Sequence, residues 1–482
     1  MKPYLNLERW LESWPEHWSE RQRAQAQTLF YKELSLATHR FYRGKVQTLP
    51  KAGIYGFPWF NVWYTPGVSR VSTTIRDNPR ESFALSNRSR LVGVVSDSTR
   101  VLGDGDCGPA GGLGVMEGKA MLMKYLGGID AVALCVDSRD AQGQSVPERL
   151  IDFVLMAAPS FGAINLEDIS QPNCYTVLDE LRRRSPIPVW HDDAQGTGCV
   201  TLAGVINALK LTRRTLADTR FVLLGAGAAN TTIANLLILA GADPERMALF
   251  DKDGGIHPGR SDYRHDPRME RLWSLADRTN PARWQEPSEA CAGADVLIAL
   301  STPGPDTIPP AWIRSMNRDA VVFACANPVP EIYPAEALKA GARIVATGRG
   351  DFPNQVNNSL GFPGILRGTL SVSARAISDT MAIRAAEALA ESTGNGLRQD
   401  HILPSMEDPH VHARVAGAIA DQACQEGLAL HPLPGEEVAR EALEEIRQVH
   451  AEVRMLMEEG FIPTPPEDLI RQARDRAIQG VD

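Results

Sequence analysis

Short apolar runs, each closed by a polar cluster, recur along the middle of the chain. Leu91-Val-Gly-Val-Val ends at Ser96-Asp97, Phe161-Gly-Ala-Ile-Asn-Leu at Glu167-Asp168, and Ile187-Pro-Val-Trp190 at His191-Asp192-Asp193. Ala131-Val-Ala-Leu-Cys-Val ends at Asp137 in the same way. Runs this short, bounded by turn formers, predict buried strands, and here they alternate with helical patterns as in a parallel α/β sheet. Val101-Leu102 predicts another short strand, and a further series runs through Phe221-Val-Leu-Leu, Met247-Ala-Leu-Phe, Ala294–Leu300, Ala320–Ala326 and Arg343–Gly348. At the ends the pattern changes. Trp10, Trp14 and Trp18 share one helical face, with Pro15 predicting a break, and read as a packing arm, within the chain or at a subunit interface. Glu436–Glu459 is heavily charged with apolar residues at helical spacing, which predicts an amphipathic helix.

Composition narrows the class. A chain of 482 residues, 43% hydrophobic and 23% charged, suits two substantial domains. Its net charge of −9 (50 − 59) comes without a basic block, so no nucleic acid is expected as partner. No stretch reaches the roughly 18 apolar residues of a membrane span, and the acid-bearing start is no secretory signal. No membrane association and a cytoplasmic location are expected. Seven scattered cysteines without Cys-x-x-Cys spacing predict reduced thiols rather than disulfides.

Candidate chemistry gathers at the strand ends. Glu167, Asp168 and Asp193 would repel one another at neutral pH, and a hard divalent cation, Mg²⁺ or Mn²⁺, is the simplest way to hold them together. The alternative makes Glu167 and Asp168 solvated and Asp193 a helix cap near Gly196. Met116-Glu-Gly-Lys119 places Lys119 in the first turn of an apolar helix, where it is costly unless paired or depressed in pKa, as a general base requires, the alternative being a snorkelling Lys on a partly exposed helix. Tyr64 lies before a Thr-Pro-Gly turn that would fix it at the end of an extended segment. Gly103-Asp-Gly-Asp-Cys-Gly needs either a disordered surface or a close approach of backbone to a ligand.

Gly225-Ala-Gly227-Ala228-Ala229-Asn230, between a strand and an Ala/Leu-rich helix, suits a pyrophosphate at the helix N-terminus. Asp251 lies 26 residues beyond Gly225 (251 − 225) and can accept from a ribose. Asp251 suggests NAD, while Lys252 keeps NADP possible. Asn230 takes the third glycine's place in the fingerprint. Asn327, Asn357 and Asn358 sit in strand-end loops at the cofactor edge, where amides suit a carboxylate substrate or simple turn chemistry.

Tyr-Thr-Pro-Gly-Val, Leu-Gly-Asp-Gly-Asp with Glu-Gly-Lys, Ile-Asn-Leu-Glu-Asp-Ile, His-Asp-Asp-Ala-Gln-Gly-Thr, Ala-Asn-Pro-Val-Pro-Glu and Asp-Phe-Pro-Asn-Gln-Val-Asn-Asn occur in that order between about Leu34 and Leu428. Together they resemble the malic enzymes, most nearly the short bacterial NAD-dependent type. The resemblance implies an arm (1–35), an N-terminal α/β catalytic domain (36–195), a Rossmann-type doubly wound parallel sheet domain binding NAD(P) (196–430) and a C-terminal helical extension (431–482). It further implies metal-dependent oxidative decarboxylation of L-malate to pyruvate, with Glu167, Asp168 and Asp193 as metal ligands, Lys119 as base and Tyr64 as acid. Arg100, Asn327, Asn357 and Asn358 would bind substrate, Asn327 would also border the cofactor, and Asp192 would support the site. A homodimer or homotetramer is implied. Gly198, Trp190 and the acidic Asp104 and Asp106 depart from the family's usual pattern, so a related β-carboxylated 2-hydroxy acid or a malolactic outcome stays open. A non-catalytic NAD-binding regulator would be expected to lack Tyr64, Lys119 or an acidic ligand. His410 and His412 read as surface histidines.

Overall fold

The structure is a computed structural model describing residues 2–260 and 262–481. It forms two compact units, residues 50–447, and residues 1–49 together with 448–482.

The larger unit holds β1 (Leu91–Ser96), β2 (Asp130–Cys135), β3 (Ala163–Leu166) and β4 (Val189–His191), all parallel in the order β2-β1-β3-β4. A second sheet is built from β5 (Phe221–Leu224), β6 (Met247–Asp251), β7 (Gly254–Gly255), β8 (Val296–Ala299), β9 (Val321–Ala324) and β10 (Ile344–Thr347). Its order is β10-β9-β8-β5-β6-β7, and only β7 is antiparallel. This is the Rossmann-type arrangement expected. The chain leaves β5 for β6 on one side and returns to β8 on the other, so a crevice opens beyond the end of β5. The helix Thr197–Thr212 follows β4; of the residues from Gly198 to Leu209 only Ile206 is not fully buried, as its apolar sequence on every face requires. Gly204 in that helix packs on Phe323 of β9, whose ring would lie 3.0 Å from an added Cβ.

In the smaller unit Trp14 and Trp18 are buried and stacked with centroids 6.0 Å apart, and Trp14 meets the edge of Phe30. The helix Glu20–Tyr42 starts in a capping box of Ser19 and Gln22 and packs its Phe30 face on Ile470, Ala473 and Ala477 of the helix Glu467–Gln479. The arm's aromatic anchors therefore pack within the chain. The expected amphipathic helix spans Gly435–Glu458, and its Glu445 pairs with Arg90 and the buried Arg367.

Several local expectations change. Val101 makes a single bridge to Gly105 rather than a strand. The Lys119 helix begins at Leu113, which puts Lys119 in its second turn. Tyr64 ends the short helix Phe60–Trp63 instead of an extended segment. His412 is fully buried, with Nε2 2.9 Å from the Met406 carbonyl, because its helix face turns inward; His410 stays exposed. All seven cysteines are free.

Phe30→Ala removes a fully buried ring from a small core. It should cost about 3 kcal/mol, read as a lower urea midpoint of the transition reported by Trp14 and Trp18 fluorescence.

Candidate active site

Neighbouring strands assemble the acidic cluster. The β3–β4 register pairs Leu166 with His191, so Glu167 and Asp192 leave the sheet side by side at its carboxyl edge. Glu167 and Asp168 are each 2% exposed, which excludes solvated loop charges. Asp193 does not cap the following helix; its Oδ2 accepts from the Asp168 amide at 2.7 Å. One carboxylate oxygen from each of Glu167, Asp168 and Asp193 lies within 4.8 Å of the others. Asp168 holds a left-handed φ of 53°, a strained conformation that turns its carboxylate toward the other two. Asp192–Gly196 forms a π turn in which a Cβ on Gly196 would stand 3.2 Å from Asn358 and collide with the Asp192 carboxylate.

Lys119 is buried against this cluster. Its Nζ lies 3.0 Å from Glu167 Oε1, donates to Asp192 Oδ2, and stands 4.7 Å from the Phe362 ring centroid. Burial alone would lower its pKa, but Asp192, Glu167 and Asp193 outweigh that and hold it above the usual lysine range. Of the states the sequence allowed, pairing, a depressed pKa or a snorkelling side chain, the structure has pairing, with Lys119 buried. Two residues orient the partners: Asn165 donates to Glu167 Oε2 at 2.9 Å and Trp190 Nε1 to Asp192 Oδ1 at 3.1 Å. Four carboxylates still face one ammonium. Burial and the charge of Asp193 push Glu167 well above the usual carboxylate range and Asp168 up to about 7. Asp168 Oδ2 is buried without a hydrogen-bond partner. An oxygen-only donor set with surplus negative charge and an orphaned carboxylate oxygen fits a hard divalent cation.

The remaining predicted residues differ in how closely they approach. The Arg100 amide donates to the Asp168 carbonyl at 3.1 Å, leaving its side chain exposed beside the cluster. Asn358 packs on the Asp192–Gly196 turn, whereas Asn357 spends its Oδ1 on the Ser359 amide at 3.0 Å. The glycine-rich loop makes its close approach to Asn327, whose carbonyl would lie 2.7 Å from a Cβ on Gly103. Acidity in that loop is partly neutralised: Asp106 pairs with Arg139 at 2.6 Å, while Asp104 is exposed. Tyr64 is 70% exposed.

The nucleotide turn follows β5. Gly225 has φ 94°, and a Cβ there would meet the Leu300 carbonyl at 2.4 Å. Gly227 precedes the helix Ala228–Leu239, so the amides of Ala228 and Ala229 open its first turn. Asn230 is fully buried, and its amide donates to the carbonyls of Leu224 and Gly225, each at 2.8 Å. Close packing here is replaced by two hydrogen bonds that tie helix to turn. Gln171, just beyond Asp168, reaches the Ala226 carbonyl at 3.4 Å and links the two halves of the site. Gly198 is explained by packing, since a Cβ would lie 2.9 Å from Leu236. Glu331 was not singled out from the sequence; it is buried and accepts from the amides of Ser301 and Ala326, bridging the loops after β8 and β9. Arg260 was missed as well. It forks onto Asp251 with contacts of 2.8 and 3.1 Å; burial raises the Asp251 pKa, but Arg260 and Tyr263 win and hold it below the usual range.

Family models identify the whole arrangement. The malic enzyme N-terminal domain matches residues 57–182, and the malic enzyme NAD binding domain matches 194–264 and 292–424. The chain belongs to the malic enzyme family. The NAD-dependent malic enzyme of Geobacillus stearothermophilus is 42% identical over 388 residues, 80% of this chain and 78% of that one. The bifunctional malic/malolactic enzyme of Bacillus subtilis is 37% identical over 410 residues, 85% and 97% of the two chains. The crystal structure of Entamoeba histolytica malic enzyme superposes with a TM-score of 0.96 at 52% identity, covering 99% of this chain and 98% of that one.

A raised carboxylate pKa means that the folded state holds the proton more tightly than the unfolded chain. In metal-free malic enzyme the Asp168 contribution to stability is therefore present below the ordinary carboxylate pKa and lost as pH rises toward about 7. Mn²⁺ should raise Tm more at pH 8 than at pH 5, measured against EDTA; equal gains would contradict this electrostatic account.

Proposed function

We propose that this malic enzyme oxidatively decarboxylates L-malate to pyruvate and CO₂ while reducing NAD⁺ or NADP⁺. The observation that carries the reading is the cluster of buried Glu167, Asp168 and Lys119 with half-buried Asp193, linked through Gln171 to the glycine turn. A divalent cation bound by the three carboxylates would supply Lewis acidity at the C2 oxygen of malate. Arg100, Asn327, Asn357 and Asn358 hold the substrate carboxylates, and Asn327 also borders the nicotinamide nucleotide.

Lys119 takes the proton of the 2-hydroxyl as hydride leaves C2 for the nicotinamide. Asp192, hydrogen-bonded to Nζ and itself raised in pKa by burial, receives the proton that Lys119 must first release. The β-carboxylate then departs as CO₂, and Tyr64 protonates C3 to give pyruvate. Tyr64 lies on a strip with Tyr55, Phe57, Phe60, Val62 and Trp63, all between 46% and 84% exposed. A strip this apolar is expected to be covered. We assign it to a second copy of the chain, in a homodimer or homotetramer, so that Tyr64 completes a site of the neighbouring subunit.

Metal-dependent NAD(P)H formation with matching pyruvate tests the reaction, with EDTA as control. Lactate without net NADH would instead support the malolactic reading that the Bacillus subtilis relative favours. Lys119→Ala should lower kcat by about 10² to 10⁴ while malate-independent nucleotide binding persists. Tyr64→Phe and Lys119→Ala chains, each nearly inactive alone, should regain roughly a quarter of wild-type activity when unfolded and refolded together, because random pairing gives hybrids with one complete site. No recovery would place Tyr64 in its own subunit's site.

A further inference from the structure

The nucleotide proposal leaves open which dinucleotide is preferred, and the end of β6 carries an answer. Asp251 stands beside Gly225 in the sheet, since Phe250 pairs with Leu224 and the Gly225 amide donates to the Phe250 carbonyl at 2.8 Å. In a dinucleotide fold the carboxylate at this position accepts the hydroxyls of the adenosine ribose, which favours NAD⁺. A carboxylate offers about four lone-pair sites. Here four donors already occupy them. Oδ1 accepts from Arg260 Nη1 at 3.1 Å and from the Asp253 amide at 2.9 Å. Oδ2 accepts from Arg260 Nη2 at 2.8 Å and from the Tyr263 hydroxyl. Asp251 therefore has no acceptor left for a ribose, and its charge is paired.

Arg260 has a second edge. Its Nε and Nη2 hold Asp262 at 3.0 and 2.7 Å, a fork of the shape that also grips a phosphate. The Asp262 side chain is 52% exposed whereas Arg260 is 13% exposed, so Asp262 is the solvent-facing partner that a dianion can replace. Lys252, 88% exposed and next to Asp251, is a second cation at the same corner, paired there with the exposed Asp253 at 3.1 Å. We propose that Arg260 is the residue that selects the nucleotide: its inner edge silences Asp251, and its outer edge exchanges Asp262 for the 2′-phosphate of NADP⁺. The enzyme on this account prefers NADP⁺ over NAD⁺. The inference rests on the assigned dinucleotide site, but not on malate being the substrate.

The test measures binding of NADH and NADPH by nucleotide fluorescence with the full-length protein, followed by KM for NAD⁺ and NADP⁺ with malate and Mn²⁺. Wild type should bind NADPH more tightly. Arg260→Ala should weaken NADPH about tenfold or more and strengthen NADH, because Asp251 is released; a purely structural loss would weaken both. Asp262→Ala, at an exposed position that the fold does not depend on, should tighten NADPH and leave NADH unchanged, and it decides the matter should Arg260→Ala fail to fold. A binding ratio that neither variant moves, or a wild type that favours NADH, overturns the proposal and returns the ribose to Asp251. Failure of the wild type to bind either nucleotide would overturn the dinucleotide site and this proposal together.

Discussion

Everything at the candidate site depends on one imbalance: four buried or half-buried carboxylates face a single ammonium at the carboxyl edge of two adjacent strands. Such a cluster is unfavourable by itself, and the surrounding structure supplies the restraint. Asn165 and Trp190 take up oxygens of Glu167 and Asp192, the Asp168 amide holds Asp193, and Lys119 is pinned against Phe362. The repulsion is thus fixed in place rather than relaxed, as a preorganised cation site would require. Asp168 shows the cost most plainly, with its left-handed backbone and orphaned oxygen.

The same imbalance gives Lys119 its double character. Close to so much negative charge it is held as an ammonium, whereas the base role proposed for it requires that it shed its proton. Asp192 resolves the conflict because it shares a hydrogen bond with Nζ and is itself biased toward protonation by burial. A divalent charge among the three carboxylates would weaken the pull on that proton, which is what the proposed base role needs.

A contrasting strategy operates at the nucleotide turn. There Asp251 is neutralised by a fully engaged arginine, and Asn230 replaces a small residue with two hydrogen bonds to the turn. One corner accumulates charge for a ligand to offset, while the other consumes it in advance. Both use loops at the carboxyl ends of parallel strands, where backbone irregularity is tolerated and side chains converge.

Much of this was legible from the chain alone. Period and length of the apolar runs marked every strand except β7, added one at Val101-Leu102 that does not form, and read as buried a β2 that is only half-buried, because a run shows where a strand can lie and not what covers it. The acidic motifs, Lys119 and the Gly225–Gly227 turn were readable too, being local and chemically unusual. Tertiary structure alone decided what met them. His412 reads as polar but is buried by the orientation of its helix, and Lys119 reads as strained but is neutralised by residues 48 and 73 positions away (167 − 119 and 192 − 119). Arg260 carries no motif, and its claim on Asp251 exists only because the loop after β7 folds back over β6. Tyr64 is the converse: its motif is plain, but only the fold leaves its side chain 70% exposed, on an apolar strip. Sequence specifies which groups can react; the pairing of their charges is a three-dimensional property, set by register, helix rotation and the neighbours that folding supplies.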